Sequence, residues 1–357
     1  MQMSVRERFV NIMSYKKADA LPVMFFEPFE GFTLDEWRKQ GLPMGTTPEA
    51  YLGLDTAYTL PISLMPMPMF PRTILEDAPD YYIETDYMGS TVKRKKEAPR
   101  MFYGHLAHPV TDRDSFLRYK ERFVANSARY MNGLDDIVEE ANKSQSPVSL
   151  FLFPFFMRLG FYSMGMEQFL MNLYDEPDLI HEMFDFWVSF AIDVFTPVLE
   201  RVTPDVVSFA EDIAFKNGPH VSPDLYKEFW LPHQNRIMSV IKNAGIPFVS
   251  MYTSGDIRPL LPLLLDNGFN MTWPLDQYSN MDPYALRREY GKELRLAGGI
   301  SKDTLANGPD AIDRRIDELL PLIQEGGFIP APDDIVPPEI PLANCKYLVE
   351  KLREIRL

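Results

Sequence analysis

The chain has 357 residues, with 36 basic and 51 acidic side chains and a net charge of −15. A surface this acidic argues against nucleic acid and anionic membranes as partners, because both would repel it. Apolar residues make up 46% of the chain, enough for a large core, and a single cysteine, Cys345, excludes an intramolecular disulfide. Residues 1–18 are charged and lack a signal core, and the most apolar stretch, Val148–Met157, is too short to span a bilayer. We therefore expect a cytoplasmic protein.

Eight short runs typical of β-strands alternate with segments long enough for crossover helices. The strand-like runs are Leu21–Phe26, Thr56–Leu60, Val148–Phe153, Asp205–Ala210, Pro247–Met251, Phe269–Trp273, Leu294–Gly298 and Gly327–Ala331. The clearest helical segments are Pro177–Arg201, Pro223–Ala244, Ile257–Asn267, Pro283–Tyr290, Pro309–Gln324 and a final helix over Asn344–Arg356. This alternation indicates parallel strands with right-handed crossovers. We predict that residues 1–357 form one α/β domain, a (β/α)8 TIM barrel.

One region, residues 71–114, interrupts the alternation. Within it, Tyr81–Asp86 and Thr91–Lys95 alternate apolar and polar residues around Met88 and Gly89, which is the pattern of a β-hairpin. We predict a hairpin insertion at the mouth of the barrel rather than a separate domain.

The candidate site residues follow the predicted strands, because TIM-barrel active sites form at the carboxyl ends of the strands. The acids at these positions are Glu27, Glu211, Asp212, Asp333 and Asp334. The aromatic and hydroxyl residues are Phe26, Phe153, Tyr252, Ser254 and Trp273. Almost no basic residue follows a predicted strand. The predicted mouth therefore suits a neutral, aromatic or cationic ligand, and it leaves a divalent metal open.

The adjacent acids Glu211 and Asp212 are the strongest candidates for a functional role in this set. Two acids at a buried strand end are costly unless they are paired, protonated or bound to a metal. They can serve acid–base chemistry or ligand contact, or they can cap the next helix or pair with Lys216. Asp333 and Asp334 have the same two interpretations, because flanking prolines also suit a turn. Tyr252 and Ser254 contact the substrate or are ordinary polar packing at a strand end. The five histidines show no metal-ligand spacing.

Several motifs resemble the uroporphyrinogen decarboxylase superfamily, and the resemblance covers nearly the whole chain. The motifs are EDIAFKNG at Glu211–Gly218, SPDLYKEF at Ser222–Phe229, YTSGD at Tyr252–Asp256, LAGGI at Leu296–Ile300 and GFIPAPDD at Gly327–Asp334. The resemblance implies a TIM barrel and one of two chemistries, decarboxylation of a porphyrinogen or methyl transfer linked to a corrinoid protein.

The resemblance to the true decarboxylases is incomplete at the first strand. Those enzymes place an arginine-rich segment there, which grips the carboxylates of the porphyrinogen. The corresponding segment here, Phe25–Glu30, holds two acids and no arginine. Since a substrate with many carboxylates needs cations at this point, the chain is more similar to the methyltransferase branch.

Many methyltransferases of this superfamily hold zinc with a His-x-Cys pair after strand 5 and a further Cys after strand 8, and this zinc activates a thiol. The corresponding positions here are Tyr252, Ser254 and the neighbourhood of Asp333, and Cys345 lies in the last predicted helix. The thiolate ligands are therefore missing. A harder cation held by oxygen atoms of Glu211, Asp212 and Asp333 stays open, as does metal-free acid catalysis.

Our leading hypothesis is a methyltransferase that moves a methyl group between a methyl ether or methylamine and a corrinoid carried by a partner protein. The expected catalytic residues are Glu211, Asp212, Tyr252 and Asp333, and the expected substrate-binding residues are Phe26, Glu27, Phe153, Ser254, Trp273 and Asp334. Two alternatives stay open: a decarboxylase acting on a smaller carboxylated substrate, whether pyrrolic or not, and a barrel that binds a ligand without catalysis. A homodimer is the default expectation for the oligomeric state.

Overall fold

The computed structural model describes residues 2–96 and 103–357, so residues 97–102 of the predicted insertion lie outside the described part. The strands are β1 Tyr58–Thr59, β2 Thr73–Asp77, β3 Tyr81–Thr85, β4 Thr91–Lys95, β5 Tyr103–Ala107, β6 Val148–Leu152, β7 Val206–Ala210, β8 Ala214–Phe215, β9 Gly218–Pro219, β10 Phe248–Tyr252, β11 Met271–Trp273, β12 Arg295–Ile300 and β13 Phe328–Pro332.

The α-helices alternate with these strands along most of the chain. They are α1 Val5–Met13, α2 Gly31–Lys39, α3 Pro48–Leu52, α4 Arg113–Tyr119, α5 Leu134–Lys143, α6 Phe156–Met164, α7 Met166–Asp175, α8 Pro177–Leu199, α9 Pro223–Leu225, α10 Leu231–Asn243, α11 Leu261–Asp266, α12 Pro283–Tyr290, α13 Lys302–Ala306, α14 Pro309–Glu325 and α15 Leu342–Glu354. Short helical turns lie at Lys120–Arg122, Ser127–Arg129 and Gln277–Ser279. Within the described residues, no helix combines the length and the apolar character needed to cross a membrane.

The main sheet confirms the predicted TIM-barrel-like α/β fold. Seven strands lie in the order β1-β6-β7-β10-β11-β12-β13, and each neighbouring pair is parallel. Every residue of β7 and β13 is buried, as expected for strands covered on both faces. Because the strands are parallel, their carboxyl ends all meet at one edge of the sheet, and the candidate site residues follow there.

The predicted first strand is an exception. Leu21–Phe26 is extended and belongs to no strand, and the strand predicted over Thr56–Leu60 shortens to β1. The backbone of Val23 bonds to Asp55 instead of to a neighbouring strand. The Val23 N–H donates to the Asp55 carboxylate at 2.9 Å, and the Val23 carbonyl accepts from the Asp55 N–H at 2.8 Å. These bonds satisfy the polar groups that a ladder would otherwise use.

A second, smaller sheet occupies the region of the predicted hairpin. Strands β3 and β4 pair in antiparallel fashion, Tyr81 opposite Lys95, and β2 and β5 extend the sheet on either side. The hairpin pattern predicted the two central strands but not the outer two. Both outer strands are almost wholly exposed, so they lack the apolar alternation on which the prediction relied.

Two predicted helices differ from the observed ones for reasons of backbone chemistry. The helix predicted over Pro223–Ala244 contains a wider π-helical turn at Tyr226–Trp230. Pro232 follows this turn, and a proline lacks the N–H that a regular α-helix would require. The helix predicted from Ile257 begins only at Leu261, because the Asp256 carboxylate accepts the Arg258 N–H in a preceding turn.

Candidate active site

A cavity of about 1080 Å³ is lined by residues along the main-sheet strands, from Val206 at the amino end of β7 to Trp273 at the carboxyl end of β11, and by residues of the small sheet. Of the ten candidate residues, eight line it, namely Phe26, Glu27, Phe153, Asp212, Tyr252, Ser254, Trp273 and Asp334. The other two, Glu211 and Asp333, are buried outside its lining. Residues distant in sequence therefore meet at one site, as the barrel topology predicts.

Glu27 and Tyr252 form the central polar contact of the cavity. The Tyr252 hydroxyl donates a hydrogen bond of 2.9 Å to the Glu27 carboxylate. Burial raises the pKa of Glu27 to about 7, although the Tyr252 hydrogen bond lowers it, and the charge of Asp334 adds to the increase. Glu27 therefore changes its charge near neutral pH while facing the cavity.

Asp212 forms an ion pair with Arg158 across the same cavity. Arg158 lies in the first turn of α6, and its guanidinium approaches the Asp212 carboxylate to 2.7 Å. Asp212 therefore pairs with Arg158 rather than with Lys216, the partner that the sequence offered as an alternative. Asp212 adopts a left-handed backbone conformation with φ of 50°, which aspartate tolerates better than most residues. The pair thus fixes a positive and a negative charge in the wall.

Aromatic rings form a continuous wall next to these charges. The rings of Tyr252 and Trp273 stack with centroids 4.3 Å apart, and Phe26 lies 5.4 Å from Trp273. On the other side, the Arg158 guanidinium lies 5.2 Å from the Phe153 ring and 5.4 Å from the Tyr252 ring. These distances are within the range of cation–π contacts.

Glu211 is fully buried at the end of β7. Its carboxylate accepts the backbone N–H of Met157 at 2.7 Å, at the beginning of α6. Burial raises the pKa of Glu211 to about 8. The residue therefore anchors the helix that carries Arg158, and it reaches the cavity only through that helix.

Asp333 is also buried, one residue before the cavity-lining Asp334. It accepts the backbone N–H of Gln277 at 3.2 Å, and its other oxygen has no hydrogen-bond partner. Burial raises the pKa of Asp333 to about 7. Asp334 pairs with Lys302 at 2.5 Å. The two adjacent acids thus have different surroundings: Asp333 lies in the protein interior, and Asp334 faces the cavity.

Three arginines that the sequence did not single out line the cavity, so the expectation of an almost cation-free mouth is wrong. Arg158 comes from α6, Arg94 from β4 of the small sheet, and Arg72 directly precedes β2. Arg72 and Arg94 both donate to the buried Glu84 carboxylate, Arg94 at 2.6 Å. The signal for Arg158 was its position as the one charged residue in an apolar helix, FMRLGFYSM.

The described residues do not form a zinc site of the kind that the superfamily implies. No three histidine, cysteine, aspartate or glutamate side chains in residues 2–96 and 103–357 come close enough together to hold a metal. Cys345 is buried in α15, and burial raises its pKa to about 12, so its thiol stays protonated. The side chains at the zinc positions, Tyr252 and Ser254, lack the thiolate and imidazole donors that zinc prefers.

The chain is similar to known proteins in its fold and in its sequence family. Among solved structures, a methyltransferase from Methanosarcina mazei matches with a TM-score of 0.64 and 19% identity over 99% of each chain, which shows a shared fold. A B12-independent methionine synthase from Shewanella sp. W3-18-1 matches with a TM-score of 0.44 and 13% identity over 95% of this chain and 97% of its own. No functionally curated protein matches the sequence significantly. The family model described as uroporphyrinogen decarboxylase (URO-D) matches residues 5–355, and with the curled parallel sheet this places the chain in the URO-D family.

Proposed function

We propose that the protein is a methyltransferase, which moves a methyl group between a small methylated substrate and a corrinoid carried by a partner protein. The observation that carries the proposal is the charge of the cavity lining. Seven carboxylic acids and three arginines line the cavity. A porphyrinogen with many carboxylates would therefore meet net repulsion, whereas a neutral or cationic methyl donor would not.

The pairing of the arginines strengthens this argument. Arg158 is bound to Asp212, and Arg72 and Arg94 share Glu84. A substrate carboxylate would have to compete with these internal carboxylates for each guanidinium. The lining therefore offers little to a polyanion and much to a ligand that presents apolar surface to aromatic rings.

The size of the cavity favours two reactants. Its volume of about 1080 Å³ lies just above the roughly 300–1,000 Å³ range of pockets that enclose a single drug-sized ligand. A methyl ether or methylamine would fill a small part of this space. The remainder leaves room for a second, larger reactant to approach the methyl group from the open side.

The chemistry needs a methyl donor and a nucleophile in line. The bond from the methyl carbon to its heteroatom breaks, and the electron pair stays on the heteroatom. The corrinoid, a co-substrate with cobalt in the +1 state, supplies the pair for the new bond. Phe26 and Trp273 hold the donor, and Tyr252 and Glu27 face the heteroatom. Such positioning supplies much of the rate enhancement in bimolecular reactions.

A direct test mixes the protein with cob(I)alamin and a panel of methylated amines and methoxylated aromatics. We expect protein-dependent methylation of the corrinoid with at least one donor, followed by the change in its absorption spectrum. Tyr252→Phe should slow this reaction about 100-fold, whereas the exposed control Glu228→Gln should not change it. The proposal would be contradicted if no donor methylates the corrinoid, and release of carbon dioxide from carboxylated pyrroles would then favour the decarboxylase.

A further inference from the structure

We infer that the methylated substrate is a cation. Its methylated ammonium group would contact both the Phe26 and Trp273 rings and the carboxylates of Glu27 and Asp334. This inference deepens the methyltransferase proposal. The claim that the cation is turned over rests on that proposal. The claim that the cation binds does not, because affinity for a cation can be measured without any methyl transfer.

The aromatic half of the site combines a strand end with a segment outside the sheet. Phe26 follows the extended segment that precedes α2, and Trp273 ends β11, with the two ring centroids 5.4 Å apart and the ring planes tilted by 42°. Tyr252 stacks on Trp273 at 4.3 Å and continues the wall. Both rings line the cavity, and aromatic rings that line a cavity attract an alkylated ammonium group.

The acidic half lies beside these rings. Glu27 follows Phe26 directly and accepts the Tyr252 hydroxyl, and Asp334 lines the same cavity. After burial, the charge of Asp334 is a further cause that raises the pKa of Glu27, so the two carboxylates lie within electrostatic reach of each other. Lys302, the ion-pair partner of Asp334, is not part of the cavity lining. Lys302 pairs with Asp334, whereas Glu27 accepts the Tyr252 hydroxyl and lies within electrostatic reach of the Arg158 guanidinium. A cation bound beside Glu27 would balance the charge of that carboxylate in its ionised form.

The neighbouring wall of the cavity already uses this mode of recognition. The Arg158 guanidinium lies over the rings of Phe153 and Tyr252 and is paired with Asp212. A cation between rings and a carboxylate is thus a stable arrangement in this environment. Within the described part of the chain, no lysine or arginine lies over the Phe26 or Trp273 ring, so the cation that Arg158 supplies to its rings has no counterpart over these two.

A methylated ammonium also fits the chemistry. When the carbon–nitrogen bond breaks, the electron pair stays on nitrogen and a quaternary ammonium leaves as a neutral tertiary amine. The electron pair of cobalt in the +1 state forms the new bond to the methyl carbon. No proton has to be supplied to the leaving group, so the ionised form of Glu27 is the productive one.

The test compares choline with 3,3-dimethylbutan-1-ol, which has the same shape but a carbon in place of the charged nitrogen. Both are titrated into the full-length protein at pH 8, and binding is measured by calorimetry. We expect choline to bind at least about tenfold more tightly, the factor that corresponds to about 1.4 kcal/mol. Equal affinities, tighter binding of the alcohol, or binding of neither compound would overturn the inference.

Variants locate the site. Trp273→Leu should weaken choline binding about tenfold and affect the neutral alcohol less, because the alcohol has no positive charge for the ring to attract. Phe186→Leu on α8 is the matched aromatic control. Glu27→Gln should also weaken choline binding, whereas Glu228→Gln should not. If Trp273→Leu lowers both affinities equally, the ring acts by shape alone and the cation assignment is wrong.

The two proposals fail in different ways. If choline is preferred over its neutral analogue but no donor methylates the corrinoid, the methyltransferase proposal fails and the cation site stands. If a methoxylated aromatic is a donor while the protein binds choline no more tightly than the neutral analogue, the methyltransferase proposal stands and the cation assignment fails.

Discussion

The hydroxyl of Tyr252 donates a 2.9 Å hydrogen bond to the carboxylate of Glu27, a residue 225 positions earlier in the chain. The bond joins the end of β10 to the extended segment at the beginning of the barrel. It places a carboxylate that titrates near neutral pH against the stacked Tyr252 and Trp273 rings. The proposed chemistry depends on this contact.

The pH dependence of methyl transfer should report Glu27. With a cationic donor, kcat/KM should rise with pH and reach half its maximum near pH 7, because only ionised Glu27 attracts the cation. Tyr252→Phe removes a hydrogen bond that lowers the pKa of Glu27, so the midpoint of the remaining activity should move to higher pH. Rates measured between pH 5.5 and 9 test this, and a midpoint that Tyr252→Phe leaves in place would contradict it.

Glu211 should make the folded protein less stable as the pH rises. Burial raises its pKa to about 8 in the folded state, from the ordinary value of 4.5. Between these values the folded protein holds a proton that the unfolded chain releases, so the contribution of Glu211 to stability is full below the lower value and is lost as the pH passes the upper one.

The comparison of wild type with Glu211→Gln isolates this effect from His105, His108, His220 and His233, whose lowered pKa values act in the opposite direction. The free energy of unfolding, measured with urea from pH 5 to 8.5, should fall for wild type relative to Glu211→Gln. A difference that stays constant over this range would show that Glu211 does not titrate as described.

Asp212→Asn should destabilise the protein by about 1–2 kcal/mol. The substitution leaves Arg158, whose side chain is only 16% exposed, without its carboxylate partner. The cost is moderate because the Asp212 side chain is 39% exposed and water screens the pair. Asp224→Asn is the matched control, since its pair with Lys227 is highly exposed and should contribute little. Equal urea midpoints for the two variants would argue against an important Asp212–Arg158 pair.

Gly255→Ala should destabilise the loop that follows Tyr252. Gly255 has φ of +91°, and an added Cβ would lie 2.6 Å from the backbone of Ala214. Strain and collision together should cost about 2 kcal/mol or more. Gly31→Ala is the control, because no atom lies within 4 Å of an added Cβ there. The test compares the thermal unfolding midpoints of the two variants. If Gly255→Ala unfolds at the same temperature as Gly31→Ala, the loop is not constrained in this way.

The pattern of the sequence predicted the parallel strands well where burial is continuous. Runs such as Val148–Phe153 and Gly327–Ala331 lie between clear helical segments, and both became strands of the main sheet. The prediction failed at Leu21–Phe26 because that segment has the same apolar character but its backbone bonds to Asp55. Hydrophobic periodicity reports burial, whereas hydrogen-bond partners distant in sequence decide whether a buried segment joins a sheet.

The candidate site was predictable in its position but not in its charge pairing. The rule that functional residues follow strand ends identified Glu27, Tyr252 and Trp273 together. It missed Arg158, which lies one turn inside a helix, and it gave no reason to separate Asp212, which faces the cavity, from the sealed Glu211. Adjacent residues at a strand end point in different directions, and only the three-dimensional backbone shows which one reaches the ligand.

The most direct test of the account is a double-mutant cycle on the rate of methyl transfer to cob(I)alamin, with Glu27→Gln, Tyr252→Phe and the double variant. If the two side chains act through their shared hydrogen bond at the reacting group, each single variant slows transfer strongly and the double variant is little slower than the slower single one. Wild-type rates in both single variants would show that methyl transfer takes place elsewhere and would contradict the account.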